Sequence, residues 1–118
     1  MPNTVSVNDL LDAALRAAQA RQAAIANNIA NLNTPGYRRS EVAFEDRLAE
    51  ALDAGEGNLD QLQPQLVQPM TGPVNAQGND VNLDEEVGGL VRNTAMYKTY
   101  IRLLGRTQSR IDLAMKTD

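Results

Sequence analysis

Asp80, Asn82 and Asp84 stand at alternate positions, the spacing with which a calcium loop presents its first oxygen ligands. The loop chemistry then fails. Glu85 occupies the position where the sharp turn needs Gly, and the twelfth position is Val91 where a bidentate Glu would close the shell. The same residues have a simpler use at the start of a helix. Asn82 with Glu85 three residues on forms a capping box, and Asp84 to Glu86 place negative charge at the positive end of the helix dipole. With no His and no Cys, the chain has neither a side chain suited to acid–base work near neutrality nor a thiolate. Its Ser and Thr hydroxyls have no His to activate them, and no Gly-rich phosphate cradle is present. The sequence therefore points away from an enzyme, a metal site, a cofactor or a small-molecule substrate.

Two polar groups remain to be explained. Asn27, Asn28 and Asn31 sit where a helical pattern is about to end, although Asn is a poor helix former. A frayed polar end accounts for Asn31, but the Asn27–Asn28 pair implies hydrogen bonds across an interface or to the helix end. Lys98, Arg102, Arg106 and Arg110, four residues apart, form a basic ridge. A solvated face is its ordinary reading. Its functional reading sets it against an acidic surface, which residues 41–60 of a neighbouring copy would supply. Nucleic acid is a poor partner for a chain of net charge −4.

The elements that must hold these groups are helical. The chain's 118 residues make one domain's worth of protein, rich in Ala and Leu, with one Phe, three Tyr and no Trp. That composition suits helices packed side by side. Ser6, with an acid three residues on, opens a helix of about 6–33. Within it Leu11, Leu15, Ala18, Gln22, Ile25, Ile29 and Leu32 repeat at steps of four and three, a heptad seam. The rest of that helix surface carries little charge and reads as a second packing face. Pro35 then stops the helix, and Gly36 accepts positive φ, so Thr34-Pro35-Gly36-Tyr37 is a type II turn.

A short amphipathic helix bearing Phe44, Leu48 and Leu52 completes residues 34–54, ended by Gly55-Glu56-Gly57. Residues 55–81 are rich in Pro, Gln and Gly. They read as an extended arm with too few apolar residues for a core, ordered only against a partner. The last helix, about 82–116, keeps a long heptad seam: Leu83, Val87, Leu90, Thr94, Tyr97, Ile101, Leu104, Gln108, Ile111 and Met115. The predicted fold is mainly α: two long terminal helices packed as an antiparallel, coiled-coil-like hairpin, around an irregular middle with one short helix. Aligning the helix ends pairs Leu11 with Met115, Ile25 with Ile101 and Ile29 with Tyr97, and brings the asparagines toward Tyr97 and Tyr100.

The run Ala26-Asn27-Asn28-Ile29-Ala30-Asn31-Leu32-Asn33-Thr34-Pro35-Gly36-Tyr37 resembles the N-terminal motif of bacterial flagellar axial proteins, the rod, hook and hook-associated subunits. Leu32-Asn33 departs mildly from the pattern, which often has a small residue followed by Asp or Asn. Gly78-Asn79-Asp80-Val81-Asn82-Leu83-Asp84-Glu85-Glu86-Val87 resembles the same family's approach to its C-terminal helix. The chain is too short for hook and distal-rod members. Phe44 with Leu48, and Tyr97 leading into Tyr100-Ile101-Arg102-Leu103-Leu104, are similar to the B-type branch of the proximal-rod proteins. The C-type branch is the alternative, and a soluble helical adaptor with one partner is the competing class.

The resemblance implies a self-assembling structural subunit of the basal-body rod that transmits torque and lines the export channel. Its implied partners are other copies of itself, the C-type proximal-rod protein, the adaptor FliE, the membrane-ring protein FliF and the flagellar type III export apparatus. Its implied place is the periplasmic side of the inner membrane, reached without a cleaved signal peptide. Asp9 and Asp12 stand where a signal peptide would be basic and then apolar. The turn generates a first prediction. Pro35→Ala removes the helix stop and Gly36→Val forces a β-branched residue to positive φ, so each abolishes motility while sparing expression. Normal swarming by strains carrying these variants would show that the turn is dispensable.

Overall fold

The computed structural model describes residues 6–55, 59 and 62–116. The Ser6 hydroxyl accepts the Asp9 N–H at 3.0 Å and starts α1, Val7–Ala30. A two-stranded antiparallel ribbon and a short helix follow: β1, Glu41–Ala43; α2, Glu45–Asp53; and β2, Gln65–Val67. Val42 lies opposite Leu66 in the ribbon. The chain then enters α3, Leu83–Lys116, where Asn82 Oδ1 accepts the Glu85 N–H at 3.1 Å. Two long terminal helices pack as the expected hairpin, and the molecule measures 67 × 29 × 15 Å. Glu56, Gly57, Asp60 and Gln61, read above as part of the α2 stop, the acidic run or the arm, lie outside the described residues.

The core lies on the charge-poor second face of α1. Ala13, Ala17 and Ala24 pack against Val42, Phe44, Ala51 and Leu59, with Leu10, Ala20, Leu48 and Leu62 at the margin. Small Ala side chains let the ribbon and α2 approach the helix closely, so Phe44 is 4% exposed despite the thin molecule. The Arg16 guanidinium fastens this layer by donating to the carbonyls of Leu59 at 2.9 Å and Leu62 at 3.0 Å. The arm thus differs from its sequence reading. Its described part folds back on its own chain, because β1 offers a free strand edge and Arg16 satisfies carbonyls that a loop would leave bare. Pro64 and Pro69 bracket β2 and keep it an edge strand.

The turn after α1 forms as its residues dictate. The Tyr37 N–H donates to the Thr34 carbonyl at 3.2 Å and Gly36 has φ +74°, the geometry of a type II turn. Gly78, at φ +77°, lies against it, and the Gly36 N–H donates to the Gln77 carbonyl at 2.8 Å.

The register of the hairpin corrects the end-to-end alignment. Ile25 packs on Gly89 instead of Ile101, a slide of twelve residues, 101 minus 89, or about 18 Å along the axis. Asn28 meets Glu86, and Asn93 donates to the Ala18 carbonyl at 2.8 Å. The asparagines therefore lie beside Tyr37, far from Tyr97 and Tyr100. The α3 seam is rotated as well. Glu86 and Asn93 are its buried residues, while the predicted seam residues Leu83, Val87, Ile101, Ile111 and Met115 are exposed in the single chain. Leu90, Tyr97 and Leu104 are half-buried, as are Leu15, Ile25, Ile29 and Leu32 on the other side, and Leu11 is buried. Apolar periodicity misses this rotation because polar bonds set it.

With this register, roughly the last ten residues of α3, about 15 Å of helix, run past the described start of α1. A cysteine pair tests the slide in the purified monomer, which has no thiol of its own. Ile25→Cys with Gly89→Cys forms an intramolecular disulfide, seen as a mobility shift on a non-reducing gel, and Ile25→Cys with Ile101→Cys does not. The reverse pattern would discard this register.

Candidate functional site

The two sequence motifs meet in one polar clasp at the turn end of the hairpin. Asn28, fully buried on α1, is its hub. Its Nδ2 donates to the Ser40 carbonyl at 2.8 Å, and its Oδ1 accepts the Ser40 N–H at 2.9 Å. The amide thus pairs with the backbone as a neighbouring strand would. The same Oδ1 accepts the Tyr37 hydroxyl at 3.0 Å, and that hydroxyl accepts the Asn27 Nδ2 at 3.0 Å. On the far side Asn28 Nδ2 reaches Glu86 Oε2 at 3.2 Å.

Glu86, 2% exposed, is a carboxylate inside the hairpin, and Arg39 answers its charge through Nε at 2.7 Å. Arg39 also reaches Glu41 at 3.3 Å. Burial works against the Arg39 charge, but its bonds to Glu86 and Glu41 outweigh that and hold its pKa above the ordinary value. The clasp therefore favours the charged form of the guanidinium. The Arg39 N–H donates to Asp80 Oδ1 at 2.6 Å, with Arg38 beyond it at 3.8 Å from Oδ2. Asp80 is thus occupied by arginine and Asn82 by the Glu85 N–H, so the calcium-like spacing resolves into capping and pairing.

Asn79 closes the arrangement. Its buried Nδ2 is shared by the carbonyls of Asn31, Leu32 and Thr34 at 2.9, 3.1 and 2.9 Å, groups that the end of α1 leaves without helical partners. Its Oδ1 accepts the Val81 N–H at 2.8 Å. Asn31 donates to the Asn27 carbonyl and accepts the Thr34 hydroxyl at 3.1 Å. Asn27, Asn28, Asn31, Thr34, Gly36 and Tyr37 all make hydrogen bonds in or beside the clasp, while Pro35 supplies the turn.

Sequence reasoning assigned Glu86 to the first helical turn, read Asp80 as helix capping, placed Asn79 only within the second motif, and gave Arg39, Ser40 and Asn93 no role. The available signal was polarity at α3 positions seven apart, 86 and 93, facing the pair Asn27–Asn28. Lys98, Arg102, Arg106 and Arg110 lie far from the clasp, exposed on α3, and none forms an ion pair with another described residue.

A helical hairpin clasped by bonds among buried polar groups is a structural scaffold, and its site joins two segments of backbone. The family described as "Flagella basal body rod protein" matches residues 12–38, which include the whole first motif. The chain is 30% identical to the flagellar basal body rod protein FlgB of Borreliella burgdorferi, with 81% of this chain and 85% of that protein aligned. It is 29% identical to the FlgB of Bacillus subtilis, over 84% and 85% of the two chains. With the FlgB of Yersinia ruckeri the identity is 27%, over 82% and 89%. The chain belongs to the FlgB family of flagellar basal body rod proteins, which are structural components of the rod and not enzymes. Among the described residues no helix is long and apolar enough to cross a membrane.

The clasp predicts an ordered mutational series. Glu86→Leu leaves Arg39 with Glu41 alone and takes the carboxylate from Asn28, and costs about 3 kcal/mol. Asn79→Ala takes a shared donor from three carbonyls, of which that of Leu32 keeps no other among the described residues, and costs about 1–3 kcal/mol. Asp84→Asn, on the exposed first turn, changes stability by under about 0.5 kcal/mol. Thermal melts followed by circular dichroism measure all three, and a Glu86→Leu protein as stable as Asp84→Asn would show that the clasp does not hold the hairpin.

Proposed function

We propose that this chain is the B-type subunit of the proximal rod and that its copies assemble helically into a drive shaft. In this role it transmits torque and lines the channel through which later subunits pass. It leaves the cytoplasm through the flagellar type III apparatus without signal cleavage and assembles on the periplasmic side of the inner membrane. Its neighbours there are further copies, the C-type proximal-rod protein, the adaptor FliE and the ring protein FliF. The FlgB-type relatives favour this branch over the C-type.

The observation that supports assembly is the bare apolar surface of α3. Leu83, Val87, Val91, Ile101, Ile111 and Met115 are 41–75% exposed along a helix that its own chain covers on one side only. A surface of that kind on a secreted structural protein calls for another subunit. The helix end beyond α1 is the most exposed part, and it follows the clasp by many turns, so changing it leaves the fold standing. Ile111→Asp with Met115→Asp therefore keeps the helicity of the parent and abolishes swarming in a strain lacking its own copy. Cryo-electron microscopy of basal bodies places the unaltered chain at the membrane end of the rod. Full motility of the double variant, or basal bodies without the chain, would overturn this function.

A further inference from the structure

The basic ridge has a complement on the same molecule, at a site it does not reach within one chain. On α2, Asp46, Glu50 and Asp53 are exposed and follow one another at steps of four and three. At 100° per residue they share an arc of about 60°. That arc points almost opposite to Phe44, Leu48 and Ala51, which turn α2 into the core. None of the three pairs with a described residue. Glu45, off this stripe, is bonded to Arg21 of α1.

On α3 the same construction places Arg102, Arg106 and Arg110 on the side away from Glu86 and Asn93, the residues that face α1. Residues 97–116 carry Lys98, Arg102, Arg106, Arg110 and Lys116 against Asp112 alone, in a chain of net charge −4. The acidic stripe spans about 10 Å and Arg102 to Arg110 about 12 Å, so three charges can face three. Apolar side chains flank both rows. Leu52 is 44% exposed beside the stripe, and Leu103 is 41% exposed beside the ridge.

We propose that the Arg102–Arg106–Arg110 ridge of one copy docks on the Asp46–Glu50–Asp53 stripe of α2 in the next copy. The contact joins two different patches of the same chain, so it is heterologous and can be repeated from copy to copy, as a helical assembly requires. It rests on the rod reading above and gives that assembly a specific bond. A solvated ridge needs no complement. Here the complement exists, matches in length and sign, and is equally unpaired.

The test uses the full-length chain in a strain lacking its own copy. Reversing the ridge (Arg102→Glu, Arg106→Glu, Arg110→Glu) or the stripe (Asp46→Lys, Glu50→Lys, Asp53→Lys) abolishes swarming, and the two reversals together restore it. In the unreversed background, Glu50→Cys with Arg106→Cys gives a non-reducing ladder at multiples of 12.8 kDa from isolated basal bodies. This second measurement decides the matter even if a reversed chain folds poorly. Unchanged swarming with either reversal, or no ladder from basal bodies that hold the chain, overturns the contact and leaves the rod reading intact. Basal bodies without the chain overturn both. A cross-link to a protein of another mass overturns copy-to-copy docking. So does co-sedimentation with phosphatidylglycerol vesicles that the ridge reversal removes, if no ladder forms.

Discussion

The buried carboxylate of Glu86 is the constraint on which the rest of the hairpin depends. A charge inside so thin a molecule must be answered on every side, and the answering groups come from two separate parts of the chain: Asn28 from α1, Arg39 from the segment between the turn and β1. Satisfying it fixes where α3 lies along α1 and which of its faces turns inward. Helix packing by apolar knobs alone tolerates a slip of one heptad at small cost. A buried carboxylate held between Asn28 and Arg39 does not.

Around that anchor the polar bonds convert sequence neighbours into structural ones. Asn28 pairs with the backbone of Ser40, so the segment leaving the turn runs beside the helix it came from. Asn79 gathers the loose carbonyls at the end of α1 and thereby ties the start of α3 to the same turn. The two glycine turns lie in contact, each at the positive φ that glycine accepts, and the Gly36 N–H bond to the Gln77 carbonyl joins them. The motif Asn27 to Tyr37 and the motif Gly78 to Val87 are therefore two halves of one joint.

What was legible in the sequence is what short-range physics decides. Ser6 and Asn82 as caps, Pro35-Gly36 as a turn and the uncharged side of α1 as a packing face all follow from residues within a few positions of one another. The hairpin itself followed from two seams. The register did not, because it is set by pairs 58 and 75 residues apart, Asn28 with Glu86 and Ala18 with Asn93, and both partners on α3 are polar. A search for apolar periodicity passes over them and selects Ile101 and Ile111, which the single chain leaves in solvent. The ribbon escaped notice for a similar reason: three-residue strands among prolines carry no period long enough to read.

The clasp sits at one end of the long axis and the uncovered stretch of α3 at the other. The subunit is thus a body with one finished pole and one unfinished pole. At the finished pole the turn, the start of α3 and the buried charge are satisfied from within. At the other, bare helix asks for a neighbour. Objects of this kind, added head to tail, make a filament whose two tips are chemically unlike, with open helix offered at only one of them. In the assembly proposed above, growth and arrest would be properties of its direction, written into the shape of one chain.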